Sequence, residues 1–160
     1  MGFLDWLLGK RSFSPPVIAT HRLVPFEAEG GRGYVLERAS DGQRLCWDDL
    51  DEDGEINAFP VAGVSRRHRA LQSPAFDPGR TLTLVPEPDN EYDPNAVGVW
   101  DEARMVQVGY VPRELAPEVA DWLRRSEGVN CLSMWEHIKD DSRVGLRVIV
   151  VKGTVHKKKV

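Results

Sequence analysis

Turn-forming clusters recur so closely along this chain that nearly every apolar run between them is too short for a bundle helix. The 160 residues include 11 prolines and 14 glycines. "EGGRG" (29–33), "SDGQ" (40–43), "DEAR" (101–104) and "KDDSRVG" (139–145) each separate two apolar segments. Glycine and proline at such spacing favour many short extended elements. A chain of this length can bury a core without disulfide or metal staples.

The runs themselves alternate. "HRLVPFEAEG", "GYVLERAS" and "QRLCWDD" place apolar and polar residues in turn, as a small β-meander does. "AFPVAGVS" starts a further apolar run that reads as a strand. "RTLTLVPE" sets Leu82 and Leu84 on one face and Thr81 and Thr83 on the other, and "NAVGVWD" and "RMVQVGYVP" follow. "PRELAPEVADWLRRSE" is different. Its Leu115, Val119, Trp122 and Leu123 fall at helical spacing, and Gly128 stops it. "NCLSMWEHI" and "GLRVIVVKGTV" complete the set as a last hairpin. The expectation is a mainly β (α+β) protein with one inserted helix, a barrel or sandwich rather than a βαβ fold.

The two ends read differently. Phe3, Leu4, Leu7 and Leu8 of "MGFLDWLLGKRS" share one helical face, predicting an amphipathic helix over residues 1–12 that docks on its own domain, a protein partner or a second copy. The segment is too short to span a bilayer and lacks signal-peptide features, so no membrane partner is expected. "SFSPPVIAT" reads as a linker over 13–20, with residues 21–56 a small β appendage. Residues 156–160 form a basic tail. The net charge is −4, but it is segregated. Arg66, Arg67, His68 and Arg69 cluster, and Arg143, Arg147, Lys152 and Lys157 to Lys159 lie in a stretch without acids. A local phosphate-binding surface is compatible with that pattern. Cys46 and Cys131 are far apart and outside any C-x-x-C motif, consistent with a reduced, cytoplasmic setting.

Catalytic and metal motifs are sparse. In "DLDEDGEIN", Asp49, Asp51 and Asp53 before Gly54 match the first half of a calcium loop, a weak candidate because Pro60 stands where a bidentate glutamate belongs. The four histidines are scattered, against a zinc site. "GGRG" lacks the lysine and helix of a phosphate loop. No cofactor and no enzymatic activity is expected. Glu87, Asp89, Glu91 and Asp93 could gather around magnesium in a nuclease, but Pro88 and Pro94 break the strand that would align them.

Three segments in order, "FPVAGVS", "LTLVPEPDNEYDPNAVGVW" and "VQVGYVPRELAPEVADWL", resemble the HIRAN domain. The resemblance extends over about residues 57–155. It implies a compact OB-like β-barrel with helical insertions that binds single-stranded DNA and holds the free 3′ end in a pocket. Carried over by position, Tyr92, Asp93 and Arg113 would lie in that pocket, and Tyr110 of the "VGY-P" segment is a further candidate for DNA contact. The chemistry is coherent. A carboxylate accepts from a terminal hydroxyl and repels a phosphate, which separates ends from interior. An aromatic ring stacks on any base. Arginine forks onto a phosphate. The family carries a basic residue and then a tyrosine after the first strand, where this chain has Ser65 and Arg66. Arg66 and Arg67 are therefore expected to take over the backbone contact, Arg66 stacking through its guanidinium plane. Asn90 and Asn95 are assigned to turn architecture. The expected function is non-catalytic DNA binding in repair or replication. The alternative is a protein-interaction module that keeps the fold without DNA affinity, and a metal-dependent nuclease ranks third.

Overall fold

In a computed structural model, residues 16–18, 21–45, 56–125, 129–152 and 155–157 are described. The N-terminal helix, the calcium half-motif at Asp49, Asp51 and Asp53, and most of the basic tail lie outside them. The described strands are β1 (Pro16–Ile18), β2 (His21–Ala28), β3 (Gly31–Arg38), β4 (Arg44–Leu45), β5 (Ile56–Pro60), β6 (Thr81–Pro86), β7 (Val97–Asp101), β8 (Gln107–Tyr110), β9 (Val129–Lys139), β10 (Ser142–Lys152) and β11 (Val155–Lys157). Every pairing is antiparallel.

The long hairpin β9–β10 organises the rest. Its turn is Asp140–Asp141, both at positive φ (50° and 60°), as a two-residue hairpin whose twist matches its strands requires. One edge of β9 runs along β10. The other is shared: Thr81 and Leu82 of β6 pair with Leu132 and Cys131, while Gly31 to Gly33 of β3 pair with His137 to Trp135. The path from β5 through β10, β9, β6 and β7 to β8 carries the cleft described below.

Both faces of this hairpin are buried, which explains the apolar run "VIVV" at 148–151. Val148 and Val150 join Phe59, Phe76, Val97, Val99 and Trp122 in one core. Ile149 and Val151 join Tyr34, Leu36, Leu132 and Met134 in a second. A strand covered on both faces reads as continuous hydrophobicity, not alternation. β6 has one clean face: Leu82 and Leu84 are buried and their neighbours half-exposed. Buried Cys131 is free, and burial pushes its thiol pKa up, so it is a poor nucleophile.

Four expectations need correction. The sheet is not a closed barrel. Beyond β5, Ala62 makes one isolated bridge to Tyr110 of β8, with N–H···O distances of 2.8 and 2.9 Å. Gly63 then turns to φ 78° and ends the extension before a ladder can form. Next, "VSRRHRAL" is helical: a 3₁₀ turn at Val64–Arg67 runs into α1 (His68–Leu71). Each piece is too short to show a 3.6-residue period. The expected helix begins later than its apolar pattern, as α2 (Ala116–Arg124), since Pro117 belongs in a first turn.

The fourth correction concerns Arg143, counted above with the basic C-terminal stretch. It is buried in an ion cluster. Its Nη2 lies 2.5 Å from Asp77 Oδ1 and 2.6 Å from Glu136 Oε2. Nη1 donates to the carbonyls of Leu71 (2.7 Å) and Ser73 (3.1 Å). Arg32 Nε reaches the other oxygen of Glu136 at 2.5 Å. This cluster ties the segment after α1 to the hairpin.

Candidate nucleic-acid interface

The bridge between Ala62 and Tyr110 forms the floor of a cleft of ≈ 840 Å³. Three chain segments wall it. The 3₁₀ turn after Gly63 supplies Arg66 and Arg67. The end of β8 and the residues after it supply Tyr110, Val111 and Arg113. The β6–β7 loop supplies Asn90, Tyr92, Asp93 and Ala96. Tyr92, Asp93, Arg66, Arg67, Arg113 and Tyr110, singled out from sequence, thus all line one concavity.

Close backbone approach makes the floor possible at Gly109. A Cβ there would overlap the carbonyl oxygen of Ala62 and crowd Val61. Gly109→Ala is expected to force the Ala62–Tyr110 bridge apart and to cost about 1–3 kcal/mol, the usual penalty of overpacking. Chemical denaturation measures it, and an unchanged unfolding midpoint would contradict the reading.

The β6–β7 loop is held by its own side chains. Asn90 Oδ1 accepts from the amides of Tyr92 (2.9 Å) and Asp93 (3.1 Å). Asp93 Oδ1 accepts from the Asn95 amide at 2.9 Å. Such side-chain-to-backbone bonds two or three residues on are the ordinary means by which Asn and Asp stabilise turns. Asp93 is half-buried, and only one of its oxygens is engaged in a hydrogen bond within the described structure. Tyr92 is the reverse case: its side chain is 87% exposed, a large ring presented to solvent at the mouth of the cleft.

Three arginines line the cleft. Arg66 and Arg113 are exposed, and Arg67 is half-buried with its guanidinium carbon 6.0 Å from the centroid of the Tyr110 ring. That lies at the outer limit of a cation–π contact. The Tyr110 hydroxyl donates to Glu87 Oε1 at 3.3 Å. Arg69, in the same basic cluster, is exposed on α1 and does not line the cleft.

Glu87 is the residue that sequence reasoning missed. Its place among alternating acids reads as surface charge. In the structure it is half-buried behind Tyr110 and also accepts from Asn90 Nδ2 at 3.2 Å. Asp101 is likewise no free surface charge: it is buried, and its Oδ1 accepts from the amides of Met105 (2.7 Å) and Val106 (3.0 Å). Among the described residues, no three His, Cys, Asp or Glu side chains gather as a metal site would need. Among them also, no helix is long and apolar enough to cross a membrane.

The family model of the HIRAN domain matches residues 56–152. No curated protein sequence matches significantly. Among solved structures, the crystal structure of the HIRAN domain of human HLTF aligns at 19% identity with a TM-score of 0.45, covering 62% of this chain and 77% of that one.

Proposed function

The chain belongs to the HIRAN domain family, and from that premise we propose that it is a non-catalytic binder of single-stranded DNA that captures free 3′ ends. The observation that carries this reading is the convergence of Tyr92, Asp93, Arg66, Arg67, Tyr110 and Arg113 on one cleft. A cleft lined by three arginines, with an exposed ring beside them, suits a nucleic-acid strand: guanidinium groups fork onto phosphates, and the ring stacks on a base whatever its identity. The unengaged oxygen of Asp93 accepts from a terminal hydroxyl and repels a terminal phosphate. Tyr110 extends the apolar wall under Arg67. Work on DNA ends in repair or replication, in a cytoplasmic setting, follows from this reading.

The test compares two short oligonucleotides that differ only at the 3′ terminus. The 3′-phosphorylated strand is expected to bind about tenfold more weakly or worse than the 3′-hydroxyl strand. Two unit charges ~4 Å apart repel by between about 1 and 4 kcal/mol over the range from bulk water to a protein surface. Equal affinities would end the case for terminus recognition. Tyr92→Ala should weaken both strands alike, by about 1–3 kcal/mol, because stacking does not sense the terminal group.

A further inference from the structure

Glu87 stands where two walls of the cleft meet. One of its carboxylate oxygens accepts from the Tyr110 hydroxyl of β8 at 3.3 Å and from Asn90 Nδ2 of the β6–β7 loop at 3.2 Å. Asn90 faces the other way with its carbonyl oxygen, which holds the amides of Tyr92 and Asp93. A continuous chain of hydrogen bonds therefore runs from Tyr110 through Glu87 and Asn90 to the backbone of the two loop residues. The chain has polar direction: the carboxylate accepts only, so Asn90 must turn its NH₂ toward Glu87, and that leaves its oxygen for the loop amides.

We infer that Glu87 and Asn90 form a clip that positions Tyr92 and Asp93 against the Tyr110 wall, and that Glu87 is a positioning residue for end discrimination. The inference rests on the proposed function for its ligand but not for its geometry. Glu87 itself is not among the residues that line the cleft, so it acts through its neighbours. Loss of the carboxylate frees the Asn90 amide to rotate, and the two loop amides then lose their fixed acceptor. Asp93 would drift while the arginine wall stays in place.

Gly98 gives a second, independent handle. A Cβ added at that position would lie 3.0 Å from Glu87 Oε2 and closer still to Trp100 Nε1 and Gln107 Nε2. Gly98→Ala therefore crowds the second carboxylate oxygen without removing its charge, and presses on Trp100 and Gln107 as well. Glu87→Gln, by contrast, keeps an acceptor oxygen of the same reach.

The experiment has two arms, both on the full chain. The first measures amide hydrogen exchange at Tyr92 and Asp93 without ligand. Glu87→Ala is expected to speed it by about 3- to 10-fold, the equivalent of one lost hydrogen bond, and Gly98→Ala by less, while exchange in the β9–β10 core stays unchanged. Glu87→Gln should restore slow exchange. The second arm measures the ratio of affinities for the 3′-hydroxyl and 3′-phosphate oligonucleotides. Glu87→Ala should shrink that ratio by a similar factor, and Glu87→Gln should restore it. Wild-type exchange at both amides in Glu87→Ala would overturn the clip. Should the wild-type protein itself not distinguish the two oligonucleotides, the end-binding reading falls, and the exchange arm alone still decides the clip.

Discussion

Arg143→Met is expected to lower the unfolding free energy by about 3–5 kcal/mol, the cost of removing one partner from a buried ion pair. Arg143 is the hub of its cluster. Its guanidinium meets the carboxylates of Glu136 and Asp77 and the carbonyl oxygens of Leu71 and Ser73. The Glu136 side chain is 1% exposed, so its charge cannot turn to water when Arg143 is lost. Methionine fills the volume and supplies no donor. Arg32 still reaches Glu136, but from a side chain that is partly exposed, and it does not replace the bonds to the two carbonyls. Arg143→Lys should fall between wild type and Arg143→Met, because an ammonium keeps the charge but not the planar fork. Urea unfolding monitored by tryptophan fluorescence gives the numbers. A loss below about 1 kcal/mol would mean that the cluster behaves like a surface pair.

The same cluster bears on the cleft. Leu71 ends the helical segment that begins at Val64 and carries Arg66 and Arg67. Its carbonyl, and that of Ser73, are pinned by Arg143, while Gln72 exchanges bonds with the backbone of Arg143 on both sides: its Nε2 donates to the carbonyl at 2.7 Å and its Oε1 accepts from the amide at 3.0 Å. The turn that carries Arg66 and Arg67 is thus fastened to the β9–β10 hairpin at one end and to the Ala62–Tyr110 bridge at the other. Rigid placement of cationic side chains reduces the ordering cost of binding, a familiar source of affinity without new contacts.

What the sequence disclosed followed the physics of periodicity. The alternation of Leu82 and Leu84 with Thr81 and Thr83 marks β6, and Val119 and Trp122 mark α2, because each repeats over enough residues to define a face. Val64 to Leu71 was illegible for the opposite reason. Two helical turns of different type contain no repeat, and Gly63, which starts them, reads equally well as the end of a strand. Arg143 looked like tail charge because burial of an ion pair depends on Glu136 and Asp77, which only the fold brings to it. The open sheet has the same origin: closure depends on how far the chain stays extended after Pro60, and a single left-handed glycine decides it.

The site divides similarly. Tyr92 and Asp93 were found through an ordered motif, and Asn90 through turn chemistry. That Arg66, Arg67 and Arg113 line the same cleft follows from the Ala62–Tyr110 bridge, which no local pattern announces. Glu87 was hidden by its company. It matches the family motif together with Pro88, but a motif match does not say what a side chain touches, and only its bonds to Tyr110 and Asn90 separate it from the other three acids.

The combined variant Arg66→Ala, Arg67→Ala, Arg113→Ala is expected to weaken binding of a single-stranded oligonucleotide by about 100- to 1000-fold at low salt. Each arginine–phosphate bond lost is worth on the order of 1–1.5 kcal/mol net, and tenfold corresponds to about 1.4 kcal/mol. Salt dependence gives a sharper reading than affinity alone. For single strands the logarithmic slope changes by about 0.7 per phosphate neutralised, so removal of three cations should flatten it by roughly 2. Arg69→Ala is the matched control. Arg69 is exposed, like Arg66, and close to it in sequence, yet it lies outside the cleft, so affinity should stay within about twofold if the cleft, and not the general basicity of "RRHR", holds the strand. Equal losses for Arg69→Ala and Arg66→Ala would argue for diffuse attraction. No binding by the wild-type protein at low salt would move the weight to the protein-interaction reading, in which Tyr92, exposed at the rim, becomes the natural anchor for a partner chain.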